Sequence, residues 1–133
     1  MSAGGDLPLI VLWEDFLGWL LPVLGSVPKS ARFTFATRLQ SLALDVLEGL
    51  IEARFTRDRL PILRAVNLKL ECLRTLLRVA HGQRLLAPAA YRHASEKLDE
   101  AGRMLGGWLR DAAGRGGRRE ARACAGPATS STA

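Results

Sequence analysis

Helical periodicity runs through most of this chain. Its cleanest instance is Leu63, Val66, Leu70, Leu73, Leu77 and Ala80, alternately three and four apart, which predicts a helix with one buried face. One step round lies a polar ladder of equal regularity: Arg64, Asn67, Glu71, Arg74, Arg78 and His81. Pro61 is tolerable in the first turn of this third helix, and His81-Gly82-Gln83 predicts its end, glycine being the usual residue just past a helix. A second helix is expected over about 30 to 53, with Phe35, Leu39, Leu42, Val46 and Leu50 as its seam and Thr56-Arg57-Asp58 as the break behind it. Ser26 or Ser30 is the candidate cap. A first helix is expected over about 7 to 24, bent or ended by Pro22, which lacks an N–H and clashes one turn back. The turn Gly25-Ser26-Val27-Pro28 follows it. A fourth helix starts at Pro88, with Tyr91, Ala94, Leu98, Ala101, Leu105 and Trp108 as its seam. No stretch combines strand-like alternation with turn signals.

Four helices joined by short turns predict an all-α fold, an antiparallel up-down-up-down four-helix bundle. Residues 1–6 are expected to be a flexible N-terminus and 7–113 the bundle. From Gly114 to Ala133 the composition turns to Gly, Ala, Ser, Thr and Arg, predicting a disordered tail with Arg115, Arg118, Arg119 and Arg122 set against Glu120. Helix one is apolar nearly all round, through Leu9, Ile10, Val11, Leu12, Trp13, Phe16, Leu17, Trp19 and Leu20. Helix three adds a second semi-apolar face of Ala65, Leu68, Cys72 and Val79. One bundle core is not expected to cover all of that, and exposed apolar patches mark interfaces. Gly102, Gly106 and Gly107, each costing about 1 kcal/mol in a helix relative to alanine, make sense where another backbone approaches. The expectation is therefore a homo-oligomer, with Trp13, Leu17, Leu68, Cys72, Gly102 and Gly106 at the interface.

Charge changes the picture further. The 133 residues carry 19 Lys+Arg against 13 Asp+Glu, a net +6, with arginine far outnumbering lysine. Arginine is the better fork for phosphate, which favours nucleic acid or an acidic protein surface as partner. GC-rich coding would produce the same bias with no function behind it. Arg74 and Arg78 lie one turn apart and could bridge successive phosphates. The alternative is a solvated face on which Glu71 pairs with Arg74 or Arg64. The candidate nucleic-acid contacts are Arg64, Lys69, Arg74, Arg78, Arg84, Arg103 and Arg110.

Chemistry of its own is not expected. His81 and His93, at a helix end and on a solvated face, have no second ligand at metal-binding spacing, and no phosphate loop, nucleophile elbow or HExxH motif is present. No catalytic residue, metal or cofactor is therefore assigned. Cys72 and Cys124 are too few and too far apart for a disulfide framework and fit a reducing cytoplasm. Residues 1–28 carry no Lys or Arg, and the apolar runs 7–12 and 16–24 are split by Glu14-Asp15, so neither a signal peptide nor a membrane anchor is expected.

Two cassettes, Leu73-Arg74-Thr75-Leu76-Leu77-Arg78-Val79-Ala80 and Gly102-Arg103-Met104-Leu105-Gly106-Gly107-Trp108-Leu109-Arg110, set arginines at helical spacing beside an apolar seam. With Trp19-Leu20-Leu21-Pro22 and Val27-Pro28-Lys29 before them, they resemble the accessory variability determinant (Avd) of diversity-generating retroelements, over roughly residues 13–112. The resemblance implies a small basic four-helix bundle assembled into a pentameric ring. It further implies a partner that is the retroelement's reverse transcriptase, and a part in copying template RNA into mutagenised cDNA. Arg74, Arg78, Arg103 and Arg110 match the family's arginine positions, and the Pro22/Pro28 turn and Gly106-x-Trp108 match its packing motifs. Ala87 stands before Pro88 where a Ser or Thr cap is common, and the Gly/Arg tail is longer than the family pattern. A structural oligomerisation or protein-interaction module that binds no nucleic acid is the competing reading.

Overall fold

A computed structural model describes the backbone of residues 6–131 and the side chains of residues 6–114. Four long helices make an all-α bundle: α1 (Asp6–Gly25), α2 (Thr37–Phe55), α3 (Leu60–Gly82) and α4 (Pro88–Ser131). A short turn, Lys29–Ala31, and a π-helical segment, Arg32–Ala36, lead into α2 without a break. Side-chain pairs fix the direction of each helix. Trp13 Nε1 donates to the Ala43 carbonyl at 2.8 Å and Asp6 lies 3.7 Å from Arg54, so α1 and α2 run antiparallel. Lys69 meets Asp45 at 3.5 Å, so α3 runs against α2. His81 stacks on Tyr91 with centroids 4.3 Å apart while Arg74 pairs with Asp99 farther along, so α4 runs against α3. Trp19 lies 4.3 Å from His93, closing α1 against α4. The topology is the up-down-up-down arrangement that the short connections predict.

The seam of α3 packs as read, with Leu63, Val66, Leu70, Leu73, Leu77 and Ala80 buried, and that of α4 nearly so: Ala94, Leu98, Ala101, Leu105 and Trp108 are buried and Tyr91 is half-buried. In α2 the expected Leu39, Val46 and Leu50 are buried, while Ala36 and Ala43 take the buried places beside Phe35 and Leu42, which are only half-buried, and Ala53 extends the seam. Ahead of it lies the π turn, in which Thr37 bonds back five residues to the Arg32 carbonyl through its N–H and, at 3.0 Å, through its hydroxyl. Neither serine caps this helix: Pro28 stands at the cap without a side-chain bond, and Ser26 Oγ donates to the Val23 carbonyl at 2.7 Å.

Helix α1 corrects three expectations. It begins at Asp6, which is buried, accepts the Leu7 N–H at 2.8 Å and meets Arg54, so this residue belongs to the bundle and not to a flexible end. It continues through Pro22 to Gly25, because Pro22 and Gly18 one turn back are both exposed and water reaches the carbonyl that proline leaves unpaired. And the core takes in more of its apolar surface than expected, although Leu7, Val11 and Leu21 stay exposed. Leu9, Ile10, Trp13, Phe16, Leu17 and Leu20 are buried, because α1 sits between α2 and α4 and the π segment covers its C-terminal half. By length and composition α1 could cross a bilayer, but Glu14 and Asp15 are exposed at its middle.

The end of α3 also departs from the sequence reading. Gly82 remains helical, and the left-handed position falls on Arg84, with φ 62°. Leu85 N–H bonds the Ala80 carbonyl at 2.9 Å and Arg84 N–H that of His81 at 3.0 Å, the pair of bonds that defines a Schellman cap. The backbone of α4 is helical beyond residue 113, as far as Ser131. The disorder expected from Gly114 is thus not seen in the backbone as far as Ser131, while residues 132–133 and the side chains of the tail arginines lie outside the described residues.

Candidate nucleic-acid interface

The seven expected phosphate contacts fall into two groups. Lys69 and Arg74 are engaged with acids. Lys69 meets Asp45, and Arg74 lies 3.4 Å from Glu71, pairs with Asp99 and donates to the Leu98 carbonyl at 3.4 Å. Arg74 is thus the cross-strut between α3 and α4 rather than a rung of a free ladder, because Asp99 on the facing helix comes into its reach. Arg64, Arg78, Arg84, Arg103 and Arg110 are exposed and make no ion pair among the described residues.

Two interface expectations change as well. Trp13 is 0% and Leu17 5% exposed, so both are spent on the core of a single chain and are unavailable to a neighbour. On α4 a Cβ on Gly102 would lie 3.3 Å from Nη2 of Arg74, and one on Gly106 would lie 3.5 Å from Nη1 of Arg110, an ordinary contact. Leu68 at 65% and Cys72 are exposed on α3, together with Val79. Leu44, Ile51 and Phe55 form a further exposed apolar stripe on α2. The sequence reading followed only the core seam of this helix and did not pick them out. His93 packs on Trp19 instead of facing solvent. Among the described residues no group of His, Cys, Asp and Glu is arranged to hold a metal.

The fold reveals a segregation of charge that the linear sequence hides. The pole formed by the α1–α2 and α3–α4 connections is built from residues 16–44 and 75–95, which contain no Asp or Glu. They contain Lys29, Arg32, Arg38, Arg78, Arg84 and Arg92, every one exposed. All twelve acids between residues 6 and 114 lie outside these segments. Lys29, Arg32, Arg38 and Arg92 were not singled out from sequence. Charge was compared along one helix, whereas the pole gathers the ends of four.

The described residues thus form an all-α bundle with cations gathered at one end. Its class is that of small basic four-helix-bundle proteins. A family model described as bAvd-like matches residues 10–112. The chain belongs to that family, the Avd accessory proteins of diversity-generating retroelements. No curated protein matches it.

Proposed function

We propose that the protein is a non-enzymatic accessory factor that binds the reverse transcriptase of its retroelement and, without sequence preference, the RNA or cDNA that enzyme handles. The observation that carries the nucleic-acid half is the pole built from two segments without acids, with its six exposed cations. Clustered cations release counterions from a phosphate backbone and name no base. Membership of the bAvd-like family supports the polymerase half. Arg78 and Arg84 remain contacts in this reading, joined by Lys29, Arg32, Arg38 and Arg92, while Arg74 and Lys69 serve the fold.

A homo-oligomer, a pentameric ring as the family resemblance implies, would align several such poles and hold one strand multivalently. Leu68, Cys72 and Val79 on α3 are the exposed apolar residues available for that contact. The expected site of action is the cytoplasm, and no cofactor is involved.

Fluorescence anisotropy with mixed-sequence oligonucleotides tests the reading. Micromolar or tighter binding is expected at about 0.15 M salt, where exposed charges are screened beyond about 8 Å. Arg78→Glu with Arg92→Glu should weaken it on every sequence and flatten its salt dependence. An absence of binding by the full chain would favour the interaction module that meets only protein.

A further inference from the structure

The same pole carries an aromatic ring that phosphate binding alone does not require. Phe33 is 87% exposed, more than any other large apolar residue described. It lies within the π segment Arg32–Ala36, a rare geometry that recurs at functional sites, and is flanked by Lys29, Arg32 and Arg38. Phe55 is nearly as exposed, at 78%, but its ring is covered by Arg54 at 5.5 Å and lies between Glu52 and Asp58 in the chain. Phe33 makes no ring or cation contact among the described residues. The cationic pole also retains Arg84 in a left-handed conformation that disfavours non-glycine residues. Glycine would satisfy the cap there without a charge.

We infer that this pole grips single-stranded nucleic acid in preference to duplex, with Phe33 stacking on an unpaired base while the surrounding cations follow the backbone. The inference rests on the nucleic-acid reading above and adds the strandedness. A free aromatic face among cations is how sequence-tolerant single-strand binders work, because every base offers a π-face. In a duplex the bases are already stacked and the ring reaches none. A second copy of this chain or an acidic protein segment would also meet an exposed ring among cations, and both are outcomes of the test.

The experiment is an anisotropy titration of the full chain with a labelled single-stranded RNA and a duplex of the same length. Light scattering and circular dichroism accompany it. Wild type should bind the single strand more tightly. Phe33→Ala should weaken the single strand at least about fivefold, the loss of one base stack, and leave the duplex, the mass and the helical signal unchanged. Phe33→Trp should restore the preference. Equal affinity for both nucleic acids with a neutral Phe33→Ala overturns this inference and leaves the broader reading standing. Binding to neither overturns both. A change in mass on Phe33→Ala identifies the ring as a subunit contact, and polyglutamate binding as tight as RNA identifies a protein-docking patch; either result overturns the proposal.

Discussion

Replacing Gly49 with alanine should destabilise the bundle, although alanine is the better helix former. A Cβ at this position would lie 2.4 Å from Cγ2 of Val66 on the facing helix, whereas apolar carbons rest about 3.5–4.0 Å apart. Val66 is 2% exposed, and its β-branched side chain is stiff about χ1. Relief therefore requires α2 and α3 to part or Val66 to leave its rotamer. Overpacking of this kind costs about 1–3 kcal/mol, against a propensity gain of about 1 kcal/mol, leaving a net loss of about 1 kcal/mol. Val66→Ala removes the obstacle, so in that background the same substitution should become stabilising by up to about 1 kcal/mol. The reversal of sign, read as a double-mutant cycle in urea unfolding by circular dichroism, isolates the contact from the propensity. Gly18→Ala supplies the control. Nothing lies within 4 Å of a Cβ there, and a gain of up to about 1 kcal/mol is expected. A stabilised Gly49→Ala, or equal losses in both backgrounds, would refute the close packing of α2 on α3.

Three further outcomes are expected. Leu17→Asp should abolish the helical signal, since a charge in the core costs several kcal/mol, whereas Leu68→Asp should leave the melt unchanged within about 0.5 kcal/mol and lower any assembled mass seen by light scattering; a folded Leu17→Asp protein would contradict the burial of α1. Arg74→Met should cost about 0.5–1 kcal/mol in urea unfolding, the worth of a partly exposed ion-pair cluster, and reduce RNA affinity less than Arg78→Met does; the opposite ranking would return Arg74 to the binding surface. Trp13→Phe should cost about 1–2 kcal/mol through loss of the bond to the Ala43 carbonyl and some core volume, and an unchanged unfolding midpoint would show that bond to be dispensable.

The parts of the fold legible in sequence were those governed by a single helix. The 3-4 seam of α3 translated directly into burial, because nothing interrupts its 3.6-residue repeat. In α2 the spacing found Leu39, Val46 and Leu50 but chose Phe35 and Leu42 over Ala36 and Ala43, because positions three and four away from Leu39 both satisfy a helical repeat and the larger side chain looks the better core residue. Arg74 and Arg78 look equivalent along the chain, and only the facing helix, with Asp99 opposite one of them, separates strut from free cation. Trp13 and Leu17 were assigned to a neighbour because the area that two flanking helices and a π segment cover cannot be counted from α1 alone. The cationic pole required the topology before four helix ends could be added together.

The π turn leaves a trace of how this helix accommodates length. Buried positions in the segment are Ala31, Ala36, Leu39, Ala43, Val46, Leu50 and Ala53, and the first gap is five residues where three or four would do. Each residue turns an α-helix by about 100°, so an uncorrected insertion would swing everything before it off the core. Here the surplus residue is absorbed on the outside, and Ala31 keeps its place. The helix therefore behaves as an ordinary one carrying a single-residue insertion. Deleting Phe33 should convert the turn to α geometry with Ala31 still buried, sparing the fold while removing the ring. Residues 32–34 are thus a place where this scaffold can gain or lose surface chemistry without renegotiating its core.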